Sequence, residues 1–306
     1  MNIEKMFTTI DTHVAGEAFR IVIHSPIDLK ESDIKLNDAI LHDHFQRERD
    51  FLLNEPRGHR GMNGCIVLPS KVADYGLLFF NHTSSGTFNY GALVASVTAL
   101  LETGNIAKKE NEAYTIETVH GIYRVKVKQE NQEVTSVSFE AEACQVIEKT
   151  PEFTLMQVDA SRNYAIFSLP EIVEKISLDY LSDIQKWGKE VSEKLKGEAI
   201  PFEGIVMVDA SGLSANTVRS VTFEKDGTIL RSPGADSTLA IFGAFLSIDH
   251  VLEQLTNYSI FDSELTAQFV PRSKHLMSME TEGFVTGMHQ FIYDHTDPLQ
   301  EGFLLK

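Results

Sequence analysis

The sequence predicts an α+β protein of two similar β-rich halves, each wrapped around a buried central helix. Two observations carry this. Ala92–Leu101 and Thr238–Ile248 are apolar on nearly every face, and a helix apolar all round is buried all round. Each follows a strand and a short polar loop, and the two helix entrances, Asn89 and Gly234, stand 145 residues apart (89 to 234) in a chain of 306. That spacing is close to half the length. The expected halves are residues 1–155, joined by the segment 283–306, and residues 156–282.

The elements follow in order. "TTIDTHVAGEAFRIVIHS" reads as two strands turning at Ala15-Gly16. "LNDAILHDHFQRERDFLLNE" has helical spacing, with Ile40, Phe45, Phe51 and Leu52 able to share a face. "NGCIVLPS" and "YGLLFFN" read as strands. "GALVASVTALLETG" is a helix with Gly104 just past its end. "YTIETVHGIYRVKVKQENQEVTSVSFEA" alternates as strands with turns near His120-Gly121 and Glu130-Asn131. In the second half "YAIFSL" and "GIVMVD" are strands, and "SVTFEKDGTILRS" is a hairpin turning at Asp226-Gly227. The apolar helix follows, then strand-like "ELTAQFV" and "GFVTGMHQFIYD".

Charge and composition exclude several classes. The net charge of −17 disfavours nucleic acid and anionic membranes as partners, since both are bound by neutralising phosphate charge. No stretch approaches the roughly 20 apolar residues of a membrane span. The first residues lack the basic and apolar regions of a secretion signal. Two cysteines, Cys65 and Cys144, do not make a disulfide framework. A cytoplasmic location is the expectation.

Several polar residues have plain structural readings. His42 and His44 lack a clear third metal ligand, so a solvated surface is expected and no metal. His59 reads as a turn organiser, Glu17 as a turn residue and Cys65 as a buried, inert thiol. Asp11 and His13 are not expected to form a dyad. His82 and Ser84–Ser85 precede the first helix entrance and are explained as well by loop polarity as by a site. "GTFNYGA" lacks the lysine and glycine spacing of a phosphate loop, and no G-x-G-x-x-G follows a strand, so no cofactor is expected.

Four ordered segments carry a family resemblance. "DTHVAGEAFRIV" resembles DTHTxGEP, with Ala18 in place of its proline. "NEPRGHRGMNGCIVLPS" resembles EPRGHxDMxGAxLxxP, with Gly61 in place of its aspartate. "FEKDGTILRSPGADSTLA" is similar to FxDGxxDRSPCGTGTSA, and "GMHQFIYDHTDPLQEGF" to a closing G-x-x-x-F-x-x-x-x-x-D-P-x-x-x-GF stretch. Together they resemble the proline racemase superfamily, which includes hydroxyproline epimerases and trans-3-hydroxyproline dehydratases. The resemblance implies a diaminopimelate-epimerase-like fold and cofactor-free chemistry. A cysteine from each half would flank the substrate α-carbon, one thiolate taking the α-proton and one thiol returning it to the other face. Backbone N–H groups at both helix starts would hold the carboxylate and the developing charge.

The resemblance departs from the family at the reacting groups. Aligned without gaps, the first motif, M-C-G-H, falls on Phe88-Asn89-Tyr90-Gly91, and the second, D-R-S-P-C-G-T-G, on Leu230 through Ser237. Asn89 and Gly234 then replace the two cysteines, Leu230 an assisting aspartate and Asp236 a threonine. The family's dehydratases keep one cysteine and replace the other with Ser or Thr. A shifted register would use Ser85-Gly86-Thr87 as the first motif and leave Gly234 in place. An amide does not titrate near neutral pH and a glycine has no side chain, so the aligned acid–base pair is missing. Asp236 is expected as an N-cap whose charge repels a substrate carboxylate, and Tyr90 as a ring that fills space a glycine leaves open.

Asn89, Tyr90, Gly91, Gly234, Ala235 and Asp236 are the expected ligand-contacting residues, with Asp236 the one candidate base. Three functions follow from these residues. The first is a silent relative binding a small amino or imino acid in a cleft between the halves. The second is a cofactor-independent isomerase or lyase using Asp236 with Tyr90 or His82. The third is a non-catalytic structural or regulatory partner whose cleft is filled by Tyr90 and Phe88. A homodimer is left open.

Overall fold

The computed structural model describes residues 3–82, 88–159, 162–248, 252–270, 273 and 276–304. Ser84, Ser85 and the alternative motif Ser85-Gly86-Thr87 lie outside the described residues. The chain forms two compact units, Met1–Ser138 with Glu282–Lys306, and Phe139–Thr281. The first division therefore falls after Ser138 and not after residue 155. The reason is strand pairing: residues 145–157 form two strands that pair next to Asn163–Ser168, inside the second unit.

In the first unit β1 (Ile3–Val14) pairs antiparallel with β2 (Glu17–His24), and β2 runs parallel to β3 (Met62–Leu68). Next, β3 is antiparallel to β4 (Tyr75–Phe80), β4 parallel to β5 (Ala113–Thr118), and β5 antiparallel to β6 (Gly121–Glu130). Beyond β6 comes β7 (Glu133–Glu142), of which Glu133–Ser138 belong to this unit. The second unit repeats the series. After β8 (Gln145–Lys149), β9 (Phe153–Gln157) is antiparallel to β10 (Asn163–Ser168), which is parallel to β11 (Gly204–Asp209). β11 is antiparallel to β12 (Thr217–Glu224), β12 parallel to β13 (Gln254–Tyr258), and β13 antiparallel to β14 (Glu264–Phe269), with β15 (Leu276–Thr281) beside it. One further strand sits outside the first member of each series: β8 on β9, and β16 (Gly283–Asp294) on β1. The twofold plan is a repeat of pairing geometry, stronger than any repeat of residues.

Parallel pairs need long crossovers, and the helices supply them. α1 (Ile34–His44) and α2 (Gln46–Leu53) join β2 to β3, and α3 (Tyr90–Glu102) joins β4 to β5. α4 (Leu181–Gly197) and α5 (Ala235–Leu246) stand at the matching places in the second unit. Every residue of α3 from Tyr90 to Leu101 is buried, and so is all of α5 except Phe245. α3 packs on β1, β2 and β16, and α5 on β8, β9, β10, β13 and β14. Of the polar side chains inside, Ser96 pairs with the Tyr75 hydroxyl at 2.9 Å, Ser237 with Thr222 at 2.8 Å, and Thr238 with Asn257 at 3.0 Å, while the Thr98 hydroxyl of α3 is buried without a hydrogen-bond partner.

α4 has no counterpart in the sequence reading. Its buried residues are Ile184, Gly188, Ser192 and Leu195. The spacing is helical, but a glycine and a serine interrupt the apolar signal. A Cβ on Gly188 would stand 2.2 Å from the Phe223 ring, so the helix lies on β12 only because that residue is small. α5 begins at Ala235, three residues before the predicted apolar run, and the hairpin after β12 closes with one bridge, Phe223 to Ile229. No described helix is long and apolar enough to cross a membrane.

Candidate functional site: the two central-helix entrances

Asn89 opens α3. Its backbone is extended (φ −141°, ψ 121°), and its Oδ1 accepts from the Gly91 N–H at 2.7 Å, an N-cap that satisfies an orphan donor. Its Nδ2 donates to Glu17 Oε1 at 2.6 Å, and the same oxygen accepts from Asn63 Nδ2 at 3.1 Å. Glu17 is thus a buried acceptor linking β2, β3 and the helix start, where the sequence suggested only a turn residue. Gly91 has no room for a side chain: a Cβ would meet Asn89 Oδ1 and the Phe19 ring at 3.0 Å. Tyr90 is buried, packed edge-on against Phe88 at 4.8 Å, while Phe88 stacks on Tyr123 at 4.5 Å. Rings therefore fill the first entrance from within its own unit.

The second entrance is built differently. Gly234 occupies the cap position of α5 at φ +74° and contributes no side-chain cap. Its N–H instead donates to Ser232 Oγ at 3.0 Å. Ala235 is the first helical residue and Asp236 the second, so the expected N-cap role of Asp236 is not found. Its carboxylate turns inward, where Oδ2 meets Arg162 Nη1 at 2.6 Å and the Tyr164 hydroxyl at 3.4 Å. Arg162 is fully buried, and Asp159 takes its Nε at 2.8 Å and Nη2 at 2.7 Å. Burial pushes the Asp236 carboxyl above its ordinary range, with Arg162 pulling against it. Burial also works against the Arg162 charge, but Asp236, Tyr164 and Asp159 outweigh it and hold the guanidinium above its ordinary value. Sequence reading missed Arg162. A lone arginine before a strand gives no signal of the acid it meets 74 positions later.

The remaining candidates have local partners. His59 Nδ1 accepts from the Gly61 N–H at 3.2 Å, and His82 Nε2 lies 3.1 Å from the His59 carbonyl. His42 sits 3.0 Å from Arg49 and 3.5 Å from Asp38. Asp11 is claimed by Arg20, and His13 stacks on Phe284, so the two form no dyad. Among the described residues no three or more His, Cys, Asp or Glu side chains gather as a metal group.

Neither cysteine occupies position 89 or 234. Cys65 is buried in β3, and burial, with the nearby Glu17 charge, raises its thiol. Cys144, half-buried near Gly243 of α5, is pushed up to about 12, again mainly by burial. A thiolate is the reactive form. Iodoacetamide at pH 7.5 is therefore expected to label neither cysteine in the native protein and both after denaturation. Native labelling of either one, read by mass spectrometry, would contradict these environments.

Residues 9–304 match the family model for proline racemase. The chain belongs to the proline racemase family. It is similar over its whole length to a trans-3-hydroxy-L-proline dehydratase of Bacillus thuringiensis subsp. konkukian, 31% identical with 100% of each chain covered. A proline racemase of Acetoanaerobium sticklandii is 27% identical, with 99% of each covered. The fold matches the crystal structure of a hydroxyproline epimerase from Agrobacterium vitis with a TM-score of 0.81 at 21% identity, covering 100% of this chain and 96% of that one. The family fold thus has, in this chain, one central helix that starts at an amide and another that starts at a glycine.

Proposed function

We propose that this proline racemase-family protein binds a small amino or imino acid and does not exchange its α-proton by a two-thiol mechanism. The observation that carries the reading is the pair of helix starts. Asn89 spends its oxygen on Gly91 and its amide on Glu17, and Gly234 has no side chain. With Cys65 buried in β3 and Cys144 half-buried beside Gly243, no cysteine stands at the positions the family resemblance assigns to acid and base. Each such group typically contributes about 10²–10⁴-fold. The ligand class draws on the relatives, which are named for proline and trans-3-hydroxy-L-proline, and on the A. vitis epimerase, solved with trans-4-hydroxy-L-proline.

A second reading, a cofactor-independent isomerase or lyase, draws on Asp236, a buried carboxyl raised above its ordinary range. The ion pair with Arg162 weighs against it, because it holds the carboxylate in place and favours its charged, less basic form.

The test is proton NMR in D₂O with both enantiomers of proline and the trans-3- and trans-4-hydroxyprolines. The expected result is no loss of the α-proton signal and no new species, together with saturation transfer from the protein to at least one compound. Exchange that survives repurification and disappears in Asp236→Asn would replace this reading with the second. Absence of both exchange and saturation transfer would remove the imino-acid ligand.

A further inference from the structure

We propose that the first turn of α5 adjoins a carboxylate-binding site that the chain fills with its own Asp236, Arg162 being the residue that holds the anion. Three features converge on that carboxylate. The Arg162 guanidinium approaches at 2.6 Å with the residue only 2% exposed. The Tyr164 hydroxyl donates to the same oxygen at 3.4 Å. The N-terminal turn of an otherwise apolar helix adds the positive end of its dipole. A fixed guanidinium, a hydroxyl donor and a helix start are the parts of an anion site.

The way Asp236 is held separates this role from helix capping. The cap position is Gly234, and Asp236 bonds to none of the first N–H groups of α5 through a described contact. Its Oδ1 is buried and has no hydrogen-bond partner. The side chain is gripped by one oxygen, from the β9–β10 side, as a bound monocarboxylate would be. Charge fixes the class of occupant. Arg162 faces Asp159 through Nε and Nη2 and Asp236 through Nη1, so a singly charged anion replaces Asp236 without adding to the negative charge already there. A planar group with two oxygens, the size of formate or of a small acid's carboxyl end, fits what Asp236 presents. The inference concerns the second unit alone and stands whether or not the protein binds an imino acid elsewhere.

The experiment removes the internal carboxylate and offers an external one. Asp236→Ser, the Asp236→Ser/Arg162→Met double variant and the unaltered protein are melted in sodium chloride and in sodium formate at equal ionic strength. Asp236→Ser in chloride is expected to melt about 10 °C lower, as for a broken buried ion pair. Formate at tens of millimolar is expected to restore at least half of that loss in a saturable way, with acetate weaker because its methyl needs extra room. The unaltered protein and the double variant should show no formate-specific shift. Equal effects of formate and chloride on Asp236→Ser, or an equal formate shift in the double variant, would overturn the proposal. Should Asp236→Ser fail to fold in chloride, refolding in formate becomes the readout. Soluble, cooperatively melting protein from formate alone supports the site, and recovery from neither salt overturns it.

Discussion

Replacing Arg20 by Met is expected to lower stability by about 3–5 kcal/mol, because it strands a buried charge. Arg20 is 3% exposed and Asp11 8%. Their side chains pair twice, Nε to Oδ1 at 2.9 Å and Nη2 to Oδ2 at 2.7 Å, across directly opposed positions of β1 and β2. The guanidinium also lies 4.3 Å over the Phe291 ring of β16 and donates to the Leu52 carbonyl at the end of α2. One side chain thus holds β1, β2, β16 and α2 together. A methionine fills the volume but leaves the Asp11 carboxylate without its bidentate partner. Denaturant unfolding checks the cost. Restoration by a second change, Asp11→Leu, would separate the stranded charge from lost packing, and a loss below about 1 kcal/mol would put the pair among exposed salt bridges in worth.

Gly234→Cys, the change that writes the aligned thiol back into α5, is expected to cost about 2–4 kcal/mol. Gly234 sits at φ +74°, a conformation that side-chain-bearing residues adopt at a penalty. A Cβ there would stand 2.8 Å from Leu230 Cδ2 and 3.0 Å from Ser237 Oγ. The entrance has closed around the missing side chain, so a cysteine meets both backbone strain and a filled neighbour. The measurement is the shift in urea midpoint. A cost under about 0.5 kcal/mol, the range of neutral surface changes, would mean that the turn relaxes freely. Asn89→Cys, by contrast, loses a cap and the donor to Glu17, a smaller penalty of about 1 kcal/mol.

The family and the two buried helices were legible because both rest on local signals. The ordered motifs are contiguous, and α3 and α5 are apolar on every side. α4 was not legible, since its inner stripe relies on Gly188, which is small beside Phe223, and on Ser192, which donates to the Lys225 carbonyl. The boundary after Ser138 was hidden for a related reason: Gln145–Lys149 is exposed along its whole length, so its strand character comes from pairing with β9 and not from apolar alternation. At the site, sequence identified Asn89, Gly234 and Asp236 as the odd residues. It could not orient them. The fate of Asp236 depends on Arg162, and the fate of Asn89 on Glu17, each a partner supplied by a distant strand or loop.

The placement of β16 sets a timetable for synthesis. β1 is made before the second unit, and its outer neighbour, β16, only after it. At about 5–20 residues per second, β1 waits roughly 15–60 s with that edge unpaired. The second unit has no such delay, because β8 is made just before β9. The nascent chain therefore completes its later-made unit first, and during that interval the open edge of β1 is a place where a chaperone, or another copy of the chain, meets backbone groups that the finished protein covers.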